Sequence, residues 1–443
     1  MSVFQVQSKD VTYRIHDGNA INGLQNFSWD PAFNEEFLEE LGNVNYVATS
    51  TEPEVSGSFD VLSTGSAYAL LSQMIMTLNG SGGFTGYLYA SGTPNTGTIT
   101  SADLEFAQFD IVGPKRTNGN WTRSEFFPRV FLSSISFSGD AAGNAQTSYG
   151  FEGQLAEVYR SPSQDIVSKP AIYASATTLT LLDTAFRCQQ EVPGTGTVTS
   201  PTHTIIAVLI NENVYDDSFV TGVDDAIGVG PITITMAATA PVPVGARITV
   251  LCYADTPGAF PVTVNPVTPD FVRANSMDIW LVATSTVDIN ALADGAFITQ
   301  NFNDSDLFLR VQSFDINVDL RRETLRQIKQ QAGSSIYYRG ATYPLQVSAN
   351  ASTFESDLDD WRKLINELAV PVDAFDDKLD LAKFTGVTYQ LVVFYYYNGT
   401  PIQAVGLLDA TVTGMSSSVG VGGRAEISWS FSGSNLRIEG DDV

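Results

Sequence analysis

The side chains that most often do chemistry are sparse in this sequence and do not converge. Only two histidines occur, His16 and His203, in dissimilar surroundings. His203 abuts the apolar run HTIIAVLI and reads as a strand-edge residue. Neither has the neighbours that a zinc site needs. Paired acids stand at Asp216-Asp217, Asp224-Asp225, Asp376-Asp377 and Asp441-Asp442, but none follows the spacing of a calcium loop. They read as solvated loops, with incidental calcium binding in the middle third as the sharper alternative. There is no G-x-S-x-G elbow and no P-loop. Gly420-Val421-Gly422-Gly423 has the look of a phosphate cradle, yet it lies between two strand patterns instead of opening a helix, so it reads as a turn. The expectation is a protein that is not an enzyme and has no cofactor and no metal.

Two other groups could serve binding. Tyr395, Tyr396 and Tyr397 could form a ligand platform, but strand alternation places Tyr396 in the core and its neighbours on the other sheet face. Cys188 and Cys252 could pair if their strands face each other, although a cytoplasmic origin argues against it. The formal net charge of -26 argues against wrapping a nucleic acid, because phosphate binding needs basic patches. It leaves open an acidic wall that repels a phosphate backbone. The start, MSVFQVQSKD, lacks a basic segment followed by a long apolar run, so no signal peptide is expected. No segment approaches the ~20 apolar residues of a membrane span.

The elements that must position any site are mostly strands. Hydrophobic content of 43% with 16% charged residues describes a folded chain, and 443 residues suffice for two or three cores. Two stretches read as copies of one design, RVFLSSISFSGDAAGNAQTSYGFEGQLAEVYR (129–160) and ATVTGMSSSVGVGGRAEISWSFSGSNLRI (410–438). In each, a small-residue strand leads through a Gly-containing turn into a strand alternating aromatic and small residues. Ala145/Ala425, Phe151/Phe431 and Gly153/Gly433 match at a constant offset of 280. Upstream, Leu24-Gln25-Asn26-Phe27 is echoed by Val311-Gln312-Ser313-Phe314 at an offset of 287.

Helical spacing is expected in four places, and INALADG between the copies is a further helical candidate. NEEFLEELG aligns Phe33, Phe37, Leu38 and Leu41, and RRETLRQIKQQAG places Leu325 and Ile328 at the same offset of 287. Ser66 to Leu78 aligns Leu70, Leu71, Met74 and Leu78. A fourth helix aligns Leu358, Trp361, Ile365 and Leu368, with Ser352 to Glu355 as a capping box. VTYQLVVFYYY, the turn Asn398-Gly399 and PIQAVGLL form a hairpin. Between the copies, short strands HTIIAVLI, PITITMAA, ARITVLCYA, FPVTVNP and MDIWLVA read as an immunoglobulin-like β-sandwich entered by the linker SPSQDIVSKP. The expected plan is an N-terminal arm over 1–23, a first copy over 24–162, the sandwich over 163–304 and a second copy over 305–443.

The two copies differ in charge. The first short helical stretch carries Glu35, Glu36, Glu39 and Glu40, and its counterpart carries Arg321, Arg322, Arg326 and Lys329. Copies alternating around a ring could bring these faces together and fix the register of assembly. The alternative is that both are solvated helix faces.

The pattern resembles the tail tube proteins of tailed bacteriophages. The residues that bear the likeness are EVSGSFDVLS with the helix after it and RVFLSSISFSGDAAGNAQTSYGFEG, echoed by PLQVSANAST with its helix and DATVTGMSSSVGVGGRAEISWSFSG. The likeness covers roughly residues 24–160 and 305–440, and the middle module departs from the minimal plan as a decoration. It implies a mainly β protein with two tube-like sandwich or barrel domains whose sheets join between neighbours into a hollow tube. It implies self-association, with a pseudo-hexameric trimer as the first expectation and a hexamer as the second. It further implies stacked rings, contacts with other tail proteins, genomic DNA passing through without specific binding, manufacture in a host cytoplasm and a final place in the virion tail. A baseplate hub or distal tail protein, capping the tube with one pseudo-sixfold ring, is the alternative. A carbohydrate-binding adhesin is a third reading.

Overall fold

In the computed structural model the two repeated units share a single sheet. The structure describes residues 11–16, 20–32, 35–38, 47–50, 54–63, 67–88, 97–117, 120–153, 156–159, 166–182, 204–211, 213–224, 231–253, 272, 276–283, 287–300, 302, 311–327, 336–341, 345–354, 388–419 and 425–440. The fold is mainly β, and all its strand pairs are antiparallel among the described residues. Copy 1 supplies β1 (Leu24–Ala32), β2 (Glu54–Leu62), β3 (Asn120–Asp140) and β4 (Gln146–Gly153). Copy 2 supplies β5 (Val311–Asp319), β6 (Gln346–Phe354), β7 (Thr400–Val419) and β8 (Ala425–Gly433). Their spatial order is β1-β2-β4-β3-β5-β6-β8-β7. Copy 1 is thus repeated strand for strand, and the last strand of its set pairs with the first strand of the next.

The repeat extends to irregularities. β1 slips register on β2 between Leu24 and Asn26, leaving Gln25 as the extra residue, and β5 slips on β6 between Val311 and Ser313, leaving Gln312. A bulge kinks one strand and raises local twist. The two glycine-turn hairpins match as well. Leu132 faces Phe151 and Val412 faces Phe431, each followed by a one-residue shift. The type of turn is legible at Asn398-Gly399, where φ of 50° and 80° fits the left-handed pair a tight hairpin requires.

Strict alternation explains the sheet's two faces. Inward positions bury Phe59, Tyr149, Phe151, Ile135, Phe137, Ile316, Trp429 and Phe431 in one cluster that runs through both copies. Each large apolar side chain fully withdrawn from water contributes about 1.5–3 kcal/mol, so the shared core ties the copies into one unit. Phe59 stacks on Tyr149 with centroids 5.0 Å apart. Seven strands between Ile166 and Tyr253 form a separate sheet with its own core around Val208, Ile234 and Val250.

Several expectations change. The stretch read as the helix NEEFLEELG contains the strand Glu35–Leu38 paired with Val47–Ser50. RRETLRQIKQQAG contains the strand Arg322–Gln327 paired with Ile336–Ala341. Glu, Arg, Leu and Gln favour helices intrinsically, but propensity is worth fractions of a kcal/mol per residue and a cross-strand ladder overrides it. The helix read over Ser66 to Leu78 is Ala67–Ser72, after which Met76–Leu78 pairs with Phe84–Tyr87. Ser352 lies inside β6 and caps no helix, while Leu358, Trp361, Ile365 and Leu368 lie outside the described residues. SPSQDIVSKP is no linker throughout, because Ile166–Ser175 is a strand flanked by Ile248–Tyr253 and Thr178–Leu181. Arg14–Ile15 pairs with Gln108–Thr117, and Met277–Ala283 pairs with Tyr389–Tyr397, so both strands join the large sheet. Tyr395, not Tyr396, is the fully buried tyrosine of its run, and Tyr396 packs near Phe394 in a smaller cluster on the other face. Cys252 is buried, and Cys188 and His203 lie outside the described residues.

Candidate functional site

The most informative surface is the continuous sheet: its polar face, the junction between copies and the edges left open. At the junction, β3 and β5 pair from Ser134↔Asp319 to Asp140↔Ser313. Over 24–32, 54–62, 130–140, 146–153, 311–319, 346–354, 411–419 and 425–433 the residues facing away from the core are mostly polar, whereas the first halves of β3 and β7 bury Phe126, Ala404 and Leu408 on that side. Ser28 bonds Ser58 at 3.1 Å, Ser313 bonds Ser352 at 2.8 Å, and the Ser430 hydroxyl donates to Asn350 Oδ1 at 2.9 Å. A groove of about 430 Å³ lined by Ser134, Ser136, Asn317, Asp319, Gln346 and Ser348 lies on this face at the junction. The stretches 24–32, 54–62, 130–140, 146–153, 311–319, 346–354, 411–419 and 425–433 contain neither lysine nor arginine. Their charged residues, among them Asp30, Asp60, Asp140, Glu152, Asp315 and Glu426, are all acidic and all fall on the polar face.

Two arginines lock the copies together inside the chain. Arg322 Nε donates to the Leu132 carbonyl at 2.6 Å. Its Nη atoms donate to the carbonyls of Glu105 and Leu104 at 3.1 Å each, at the end of the short helix Ser101–Leu104. A cation on the carbonyl end of a helix satisfies orphan acceptors and meets the favourable end of its dipole. The guanidinium also lies 5.3 Å from the Phe131 ring centroid. Arg437, buried with Glu439, donates to the carbonyls of Ile289, Leu292 and Ala293 at 2.8–2.9 Å, while Glu439 accepts from Thr98 of copy 1 at 2.8 Å. Beside them Asn435–Gly440 pairs with Gly97–Thr100, a second ladder between copies.

The same surfaces stand open at the ends of the chain. Phe314, Ile316 and Val318 on β5 are 4%, 0% and 1% exposed beside β3. Their counterparts on β1, Phe27, Trp29 and Pro31, are only half-buried, and among the described residues β1 pairs on one side alone. On β3, Ile135 and Phe137 are buried beside β5. On β7 the counterparts are Met415, half-buried, and Ser417, exposed, and Val419 is 74% exposed. An open edge presents unpaired N–H and C=O groups as a template for another chain.

A third cluster joins copy 1 to the seven-stranded sheet. The buried carboxylate of Asp110 accepts from Arg247 at 2.8 Å, the Arg129 backbone N–H at 2.7 Å, and Ser168 and Thr249 hydroxyls at 3.0 Å each. His16 lies 3.4 Å away. Burial pushes this carboxyl up, but Arg247, then His16, then the Arg129 amide pull it down further, leaving it well below the ordinary carboxylate range. The five partners of the Asp110 carboxylate all come from the chain itself, so the cluster is an ionic joint. Apolar contacts of Val112 and Phe126 with Ile166, Leu209 and Leu251 complete it.

Of the residues singled out from sequence, Glu35 and Glu36 lie in the first two-stranded hairpin and Arg322 and Arg326 in the equivalent second one. Arg321 is exposed beside Asp319 at 2.9 Å. Glu39, Glu40 and Lys329 lie outside the described residues. Arg322 is engaged within its own chain. Asp110, Arg247 and Arg437 were missed, since isolated charges in strand patterns give no signal of their partners.

Among solved structures, the chain is similar to the SPP1 tail tube, a hybrid of solid-state NMR and cryo EM, with 13% identity, a TM-score of 0.23 and coverage of 38% of this chain and 80% of that one. No protein-family model matches the chain, and no curated protein matches it.

Proposed function

We propose that this chain is a structural subunit of a phage tail tube, which associates with copies of itself into rings that stack into a hollow conduit for DNA. The observation that supports this most is the internal junction. The chain already contains one sheet-to-sheet joint between copies, and β1 and the 411–419 end of β7, each paired on one side among the described residues, are the two halves of another. A joint whose two halves sit at opposite ends of one molecule is heterologous, and repeating it closes a ring or runs on as a helix. Three chains of two copies each would give six sheet units. The polar face, acidic and free of basic residues, suits the inside of such a ring, because a wall without cations does not grip a phosphate backbone.

The charged two-stranded hairpins belong to the same proposal. They leave the sheet at equivalent places in the two copies, and opposite charge there would distinguish one orientation of neighbouring rings from another. Electron microscopy of the purified chain tests the reading. Stacked rings or tubes support a tube subunit. Discrete single rings would place the protein as a hub or distal ring, and a monodisperse monomer at high concentration contradicts both.

A further inference from the structure

Resting on that reading, we infer that β1 of one chain pairs antiparallel with the end of β7 of a second copy, in the register fixed by the internal junction. Within the chain, Ser138 faces Asp315 and Ser136 faces Asn317. The strand equivalences carry β3 to β7 by 280 residues and β5 to β1 by 287, as the shared bulges and hairpin registers require. Transferred, the pairs become Ser418 opposite Ser28 of the next copy and Ser416 opposite Asp30. The half-buried Phe27 and Trp29 would then be covered as Phe314 and Ile316 are. Pro31 falls opposite Met415, one pair from the end of the transferred ladder, and supplies no N–H there. The occupant of both edges is therefore another copy of this chain.

The two junction types are chemically distinct. Arg322 closes the internal one on the Leu132 carbonyl. Glu35 holds the equivalent place on β1's side, by the same shift of 287 residues and the same hairpin register. The intermolecular joint thus lacks the arginine clamp and depends on the strand ladder itself, which suits an interface that forms only on assembly.

Engineered cysteines test the register. Directly opposed residues have Cα atoms ~4.5–5.5 Å apart, within disulfide reach. Within one chain β1 and β7 stand at opposite ends of the eight-strand order, seven spacings of ~4.8 Å along the sheet, so any bridge joins two molecules. Ser28→Cys and Ser418→Cys chains, mixed and oxidised, should give a two-chain product absent from either alone. The doubly substituted chain should give closed three-chain species. The off-register pair Ser28→Cys with Gly414→Cys, displaced by ~13 Å, should cross-link at least tenfold less. Rings or tubes in the microscope without the Ser28–Ser418 product overturn the register and leave self-assembly standing. A folded chain that neither assembles nor cross-links overturns both.

Discussion

Val158 and Ile438 occupy one position in the two copies, yet Val158 is 58% exposed and Ile438 fully buried. Val158 faces Glu125 on β3 as Ile438 faces Val405 on β7. Among the described residues only Ile438 has a further strand beside it, where Ile99 of the other copy closes the ladder. The strand Glu157–Tyr159 is therefore a second edge that a neighbour would cover. Val158→Asp should leave chain stability within about 0.5 kcal/mol, as exposed substitutions do, but reduce assembly at least tenfold. Ile438→Asp should prevent folding, because it buries an unpaired charge. Thermal melts and sedimentation of both variants check the contrast.

Arg322→Ala should destabilise the isolated chain on the order of 2–3 kcal/mol, since it leaves the carbonyls of Leu104, Glu105 and Leu132 without their charged donor. Arg322→Lys should recover only part of this, because an ammonium cannot span acceptors set by a planar fork. Denaturant unfolding below the assembly concentration measures it. An unchanged midpoint would mean that the arginine acts between chains instead.

The Asp110 joint predicts an acid limit. A carboxyl held below its unfolded value of ~3.9 contributes stability that is complete above about pH 4 and is lost as pH falls below it. Asp110→Asn should cost about 3–5 kcal/mol at neutral pH by leaving Arg247 without its counter-charge, and should flatten the decline below pH 4. Unfolding free energies from pH 3 to 7 for both proteins decide it; parallel curves would remove the joint from the account.

Reversing charge on the polar face should convert a non-binding wall into a binding one. Asp60→Lys with Glu426→Lys should leave the fold intact, as neither residue is buried, and give the assembled protein measurable affinity for duplex DNA. That affinity should fall steeply with salt, by a slope of about 0.9 per phosphate neutralised. Fluorescence anisotropy at several salt concentrations reads both; binding by the unmodified protein would contradict the proposed role of this face.

The repeat was legible because strand alternation survives in a single sequence: Tyr149 and Phe151 against Trp429 and Phe431 needed no partner to be recognised. Pairing was not legible. Nothing local says that Met277–Ala283 adds to Tyr389–Tyr397, or that Ile166–Ser175 is a strand despite Pro170, since partners are set by contacts far along the chain. The two hairpins misread as helices have apolar spacings that fit either period over so short a span. The open edges emerged only from comparing burial at equivalent positions, which requires the assembled sheet.

Cryo-electron microscopy of the purified chain tests the central claim most directly. The account predicts rings of three chains with six sheet units around a channel, β1 of each chain continuing the sheet of its neighbour's β7 with Ser28 opposite Ser418. A ring or tube in which either edge faces solvent, or a chain that stays monomeric at high concentration, would contradict it.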